Sequence, residues 1–131
     1  MIPAKVLEIH ENDGISVVKF LHDELLFSML SLENLGLQVG QNVRLGFKSS
    51  DVIIAKAPLL ACSVNNVIKA RIAHANIGEI ITCLHLNAGN FEFESIISKE
   101  SFSRLNLSIG DEVYAYVKST SLFISSFDDR Y

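Results

Sequence analysis

The chain lacks most of the marks by which a function is read directly. No apolar run approaches the roughly 18 residues of a membrane helix, so no direct membrane insertion is expected. The opening residues, MIPAKVLEIHEND, contain no basic stretch leading into an apolar one, so no secretory leader is expected and the expected location is the cytoplasm. Positive charge is in deficit: 11 Lys and Arg face 15 Asp and Glu, a net charge of −4. Nucleic-acid binders carry a basic surplus or stripe, and none is visible, so no nucleic-acid partner is expected. Cys62 and Cys83 stand 21 residues apart, which matches no metal spacing, and both are expected to be reduced and buried. His10, His22, His74 and His85 form neither HxH nor HExxH, so no metal cation is expected. There is no Gly-x-x-x-x-Gly-Lys-[Ser/Thr] loop, no helix-turn-helix segment, no nucleophile elbow and no paired-carboxylate arrangement. An enzyme is therefore not expected, and neither is a covalent cofactor; binding alone needs none of these devices.

What is present is apolar and alternating. Hydrophobic residues make up 49% of 131, and mean hydropathy is +0.31, well clear of disorder. Some of that apolar surplus is read as subunit interface. AKVLEIHE, ISVVKFL and ELLFSML read as strands, with Asn12-Asp13-Gly14 turning between the first two. SLENLG predicts one helical turn stopped by Gly36, and NVRLGFK and DVIIA close a first half. After the connector KAPLLACS the order restarts. NNVIKARIAHAN, EIITCLHL and FEFESIIS are strands, KESFSRLNLSIG a short helix and loop, and EVYAYVK and LFISSF the last strands. The expected fold is all-β: two tandem OB-like small β-barrels, each of about five strands plus one short helix. The repeats are expected at 1–57 and 62–131. A half of that size buries too little surface alone, so the halves should pack on each other or on another chain.

The restart is an internal repeat. At an offset of 70 residues, as from Leu37 to Leu107, LGLQVGQNVRLGFKSSDVII (35–54) lies over LNLSIGDEVYAYVKSTSLFI (105–124) without a gap. Lys48 falls on Lys118 and Ser49 on Ser119; at the same offset Ser28 falls on Ser98 and Ser31 on Ser101. Alternation puts Val113, Ala115 and Val117 on one face and Tyr114, Tyr116 and Lys118 on the other, and Lys48 likewise opposes Val43, Leu45 and Phe47. Each lysine thus points away from its own barrel interior. Two readings stand. Lys-Ser-Thr-Ser is ordinary turn chemistry, and Ser98 before KESF is an N-cap. Alternatively, an ammonium, hydroxyls and turn amides are all donors, the complement of an oxyanion that only accepts. Tyr114, Tyr116, Phe91 and Phe93 are the aromatics an OB-like single-stranded nucleic-acid binder would stack on. With this charge they are expected instead to pack between barrels or subunits.

SVNNVIKARI (63–72) and IISKESFSRLNLSIGDEVYAYVKSTSLFI (96–124), with this order of elements, resemble the Mop or TOBE domain of molbindins and of the C-terminal end of molybdate-transport ATPases. The second half matches nearly throughout, the first from about Phe27 onward, in an arrangement similar to the family's di-Mop form. The resemblance implies cytoplasmic binding of molybdate or tungstate, for storage, homeostasis or sensing, at sites between subunits of a homo-oligomer, a dimer or trimer. It also implies a rival role as a detached regulatory module of a molybdate importer, with the transport ATPase as partner. Carried across, Ser98, Ser101, Lys118 and Ser119 would supply one side of a site, and Ser63, the Val64 amide and Asn65 would reach in from a neighbouring chain. Ser28, Ser31, Lys48 and Ser49 would hold the same positions in the first repeat. Asn65 stands where many relatives carry arginine, which removes a positive charge from the arm. The first repeat begins MIPAKV and has no arm of its own.

Overall fold

The computed structural model describes residues 2–128, the side chain of residue 128 excepted. Ten strands run in order: β1 (Ile2–Asn12), β2 (Ile15–His22), β3 (Leu25–Ser31), β4 (Asn42–Gly46), β5 (Ile53–Ala55), β6 (Asn66–Ile77), β7 (Ile81–Ala88), β8 (Phe91–Ser98), β9 (Glu112–Val117) and β10 (Phe123–Asp128). One α-helix, α1 (Lys99–Arg104), and one 3-10 turn, Ser49–Asp51, complete the described elements. The all-β, OB-like expectation holds.

Within each unit the period-2 pattern chooses the face. Ile2, Ala4 and Val6 of β1, Val18 and Phe20 of β2, Phe27 and Met29 of β3, and Val43 and Leu45 of β4 are buried in one core. Ile68, Ala70 and Ile72, Leu84 and Leu86, Val113, Ala115 and Val117 form the other. Fully burying one such aliphatic or aromatic side chain contributes about 1.5–3 kcal/mol, so these faces hold the sheets. In the first unit β1 pairs β4 through Ile2–Lys5 and β2 through Lys5–Asn12, with a bulge between Val6 and Glu8. β6 repeats this against β9 and β7, its bulge between Ile72 and His74. A bulge bends and twists its strand, which lets one long strand serve two directions of a curled sheet.

The last strand of each repeat is exchanged. One sheet runs β10-β4-β1-β2-β3 and the other β5-β9-β6-β7-β8. The two compact units are accordingly 1–47 with 118–131, and 48–117, where the sequence repeat places its boundary between 57 and 62. β5 and β10 occupy equivalent positions in the repeat, and each lies at an edge of its sheet. Nothing in the local pattern of either selects its own repeat's sheet.

Three further expectations change. The helical turn over SLENLG does not form. Ser31 Oγ accepts from Glu33 N at 3.0 Å and Asn34 Oδ1 from Gly36 N at 3.1 Å, side-chain bonds that hold the backbone in turns. The repeat also has two offsets. The equivalent bulges, Val6/Glu8 and Ile72/His74, and the equivalent loop bonds, Gly40 N to Val6 O and Gly110 N to Ile72 O, place β1–β3 66 residues before β6–β8, as from Val6 to Ile72. From Gly40 to Gly110 the offset is 70. The difference falls where α1 stands, and the second half alone has room for the helix. Finally, Cys62 is exposed and Cys83 half-buried, because Cys62 lies on the connector and Cys83 on the outer side of β7.

Candidate functional site

Both lysines that alternation turned outward are exposed, as is the residue type's preference, while Val43, Leu45, Val113, Ala115 and Val117 are buried behind them. Each lysine opens a turn closed by the same bond: Asp51 N donates to Lys48 O, and Ser121 N to Lys118 O, both at 2.9 Å. In such a turn the two middle amides are not used by the turn's own bond. Among the described residues neither Lys48 nor Lys118 makes an ion pair. Lys69, by contrast, meets Glu112 at 3.5 Å.

Strand exchange sorts the candidate residues by unit. Lys118 and Ser119 belong to the first unit. There Ser119 O accepts from Leu30 N at 3.0 Å, which holds the segment against β3. Ser28 and Ser31 lie on that strand. Beside them a cavity of about 480 Å³ is lined by Ser31, Glu33 and Thr120 with Leu30, Leu32 and Phe123 among its apolar walls. Among the described residues Glu33 is the one carboxylate on this wall, and it works against an anion there. Lys48 and Ser49 belong to the second unit, whose 3-10 turn packs against β8. The buried Ser95 Oγ donates to Val52 O at 3.0 Å and fixes that contact. Ser98, at the end of β8, caps α1: its Oγ accepts from Ser101 N at 3.0 Å and donates to Ser101 Oγ at 2.9 Å. Both serine hydroxyls are thus paired with each other at a strand-to-helix corner.

The arm residues also lie in the second unit. Ser63 and Asn65 are exposed and Val64 half-buried, with Val64 N within 3.5 Å of Cys62 Sγ. The connector is anchored where Leu59 N donates to Tyr116 Oη at 2.8 Å. Beyond that anchor Leu60 is 96% exposed, so the connector presents apolar surface outward ahead of Ser63.

The offset of 66 changes the serine pairing. In the hairpins Ser31 lies opposite Ser16, and Ile97 opposite Thr82, so Ser31 corresponds to Ile97 and Ser28 to Glu94. The match of Ser28 with Ser98, and Ser31 with Ser101, is one of sequence offset and not of position in the sheet. Thr120, which shares the cavity with Ser31, escaped the sequence reading as an individual donor. Its place in the row Ser119-Thr120-Ser121 was the available signal.

Residues 63–124 match the TOBE domain. That span follows the sequence repeat and so crosses the strand exchange, taking in the start of β10. Among solved structures, the chain is similar to the cytoplasmic molybdate-binding protein ModG, crystallised with molybdate bound. The TM-score is 0.88 at 19% identity, over 94% of this chain and 92% of that one. The similarity establishes a shared fold across both units. No curated protein matches the chain by sequence. Among the described residues, no helix is long and apolar enough to cross a membrane.

Proposed function

We propose that this chain, whose residues 63–124 match the TOBE domain, binds tetrahedral oxyanions of the molybdate and tungstate class as a cytoplasmic store or sensor. The observation that carries the reading is the pair of Lys-Ser turns. Lys48-Ser49 and Lys118-Ser119 sit at equivalent places, closed by the same turn bond, with exposed ammonium groups that have no ion pair among the described residues. A lysine with no ion pair among the described residues, held beside hydroxyls and turn amides, presents a concentration of donors, which is what a dianion complements. Each well-aligned charge-assisted hydrogen bond contributes about 1.5–3 kcal/mol. The Lys118 turn is the stronger candidate, since Ser121 occupies the place that acidic Asp51 takes in the other. Ser98 and Ser101 offer hydroxyls at the β8–α1 corner of the second unit, the unit that carries the Lys48 turn. Ser63, the Val64 amide and Asn65 complete a site from a second subunit, where the outward-facing connector delivers them. The solved structure of similar fold holds molybdate, which supports this ligand class.

The test is thermal unfolding with molybdate, tungstate or sulfate. A ligand at 100 times its Kd adds about 2.7 kcal/mol of stability. The expected result is a rise in Tm with molybdate and with tungstate, little rise with sulfate, and a much smaller rise in Lys118→Ala. No shift with any of the three at millimolar concentration removes the reading.

A further inference from the structure

The outer face of the second unit carries a polar cluster that the oxyanion reading does not use. In the β6–β7–β8 sheet His74 lies opposite His85, and His85 opposite Glu94, in one cross-strand row. Asn76 opposes Cys83 one step along. These side chains share the face opposite buried Leu84 and Leu86. His85 Nδ1 is 3.1 Å from Glu94 Oε2, and His85 Nε2 is 3.2 Å from Asn76 Nδ2. Asn76 Oδ1 is in turn 3.0 Å from His74 Nε2, and the two imidazole centroids are 5.5 Å apart. One ligand atom each from Cys83, His85 and Glu94 lies within 4.8 Å of the other two.

We propose that Cys83, His85 and Glu94 form a surface site for a borderline divalent transition-metal cation, zinc being the type case. A thiolate, an imidazole and a carboxylate are a donor set that Zn²⁺ accepts, with water free to take a fourth, tetrahedral position. Metal–ligand bonds of about 2.0–2.3 Å need donors roughly 3.3–3.8 Å apart, which small rotamer shifts of half-exposed side chains can reach.

The surrounding hydrogen bonds fit the change. Without a cation, His85 Nδ1–H donates to the Glu94 carboxylate, Nε2 accepts from the Asn76 amide, and Asn76 Oδ1 accepts from His74 Nε2–H. On binding, His85 Nδ1 becomes the ligand and its proton moves to Nε2. Asn76 turns its amide over to accept there with Oδ1, and donates through Nδ2 to His74 Nε2, whose own proton passes through solvent to His74 Nδ1. The bond from His85 Nε2 to Asn76 is the outer-shell bond that metal-ligating histidines ordinarily make. Cys83 releases one proton to solvent, so a dication meets a thiolate and a carboxylate and the centre is neutral; no electron is transferred. Burial, then the neighbouring Glu94, push the Cys83 thiol up, and a bound dication reverses the sign of that local field.

The duplication is an internal control. At the offset of 66, the places of His74, Asn76, Cys83, His85 and Glu94 are taken in the first unit by Glu8, His10, Val17, Lys19 and Ser28. The same strands and bulge fold there with a valine in place of the thiol and a lysine in place of the imidazole. The fold therefore does not require this cluster. The proposal is independent of the oxyanion reading.

Titration of the full, reduced, metal-free chain with Co²⁺ tests it, read by the thiolate-to-cobalt charge-transfer absorption. One Co²⁺ per chain is expected, displaced by Zn²⁺. Cys83→Ser should abolish the band, and Cys62→Ser should leave it unchanged. Asn76→Ala should weaken binding by about 10- to 100-fold, the usual effect of removing an outer-shell partner. Far-ultraviolet circular dichroism checks that the variants fold. Absence of the band in the wild-type chain, or a band that follows Cys62 instead of Cys83, overturns the assignment.

Discussion

Thr82 is fully buried on β7, and among the described residues its Oγ1 is the one buried side-chain oxygen or nitrogen without a hydrogen-bond partner. A buried, unsatisfied polar group costs about 1–3 kcal/mol, and valine has nearly the same shape without the hydroxyl. Thr82→Val is expected to raise stability by about 1 kcal/mol, measured by denaturant unfolding; a loss of that size would show an unseen partner for Oγ1. The lysines were legible at this scale. Alternation alone turned Lys48 and Lys118 away from their cores, because a strand offers only two directions for a side chain. Their neighbours were not legible. Ser119 meets β3 through a bond to Leu30 N, and no local pattern predicts a contact across 89 residues of chain. Cys83, His85 and Glu94 were hidden for another reason: they lie close in sequence on one hairpin, but what brings them together is the register of β7 against β8, which alternation alone does not set.

Elements followed the sequence where local chemistry was decisive. Asn12-Asp13-Gly14 forms the β1–β2 hairpin with positive φ at both Asp13 (52°) and Gly14 (78°), the conformation that matches the twist of a two-residue turn. A Cβ at Gly14 would meet nothing within 4 Å, so the cost of Gly14→Ala is conformational alone. It is expected to destabilise by roughly 1–2 kcal/mol in chemical denaturation, with the fold retained. SLENLG went the other way. Its helical reading rested on a stop signal at Gly36, but the Ser31 and Asn34 side chains bond the backbone nearby and win over a nucleus too short to propagate. In the second half Ser98 caps a helix instead, with the longer segment between β8 and β9 giving α1 its turns.

At the scale of the whole molecule, the exchange of β5 and β10 decides which fragments can stand alone. A chain of 62–131 would lack β5 and carry β10 with no β4 to pair, whereas 48–117 keeps all five strands of its sheet. The 48–117 fragment is expected to unfold cooperatively on heating, and the 62–131 fragment to show no cooperative transition by circular dichroism. The reverse result would mean that each repeat can close on its own last strand. Strand edges exposed by the wrong cut are also the surfaces by which such a fragment would aggregate.

The sequence by itself determined the fold class, the order of strands along the chain, the duplication, the outward lysines and the β1–β2 turn. These follow from the pleat's period of two and from backbone conformations that particular residues favour, both local properties. Only the tertiary structure decided which last strand enters which sheet, that the offset shifts from 66 to 70 between the halves of each repeat, and which donors stand together. Backbone pairing is blind to side-chain identity, so two equivalent edge strands compete for the same place, and the choice rests on the packing of the folded chain.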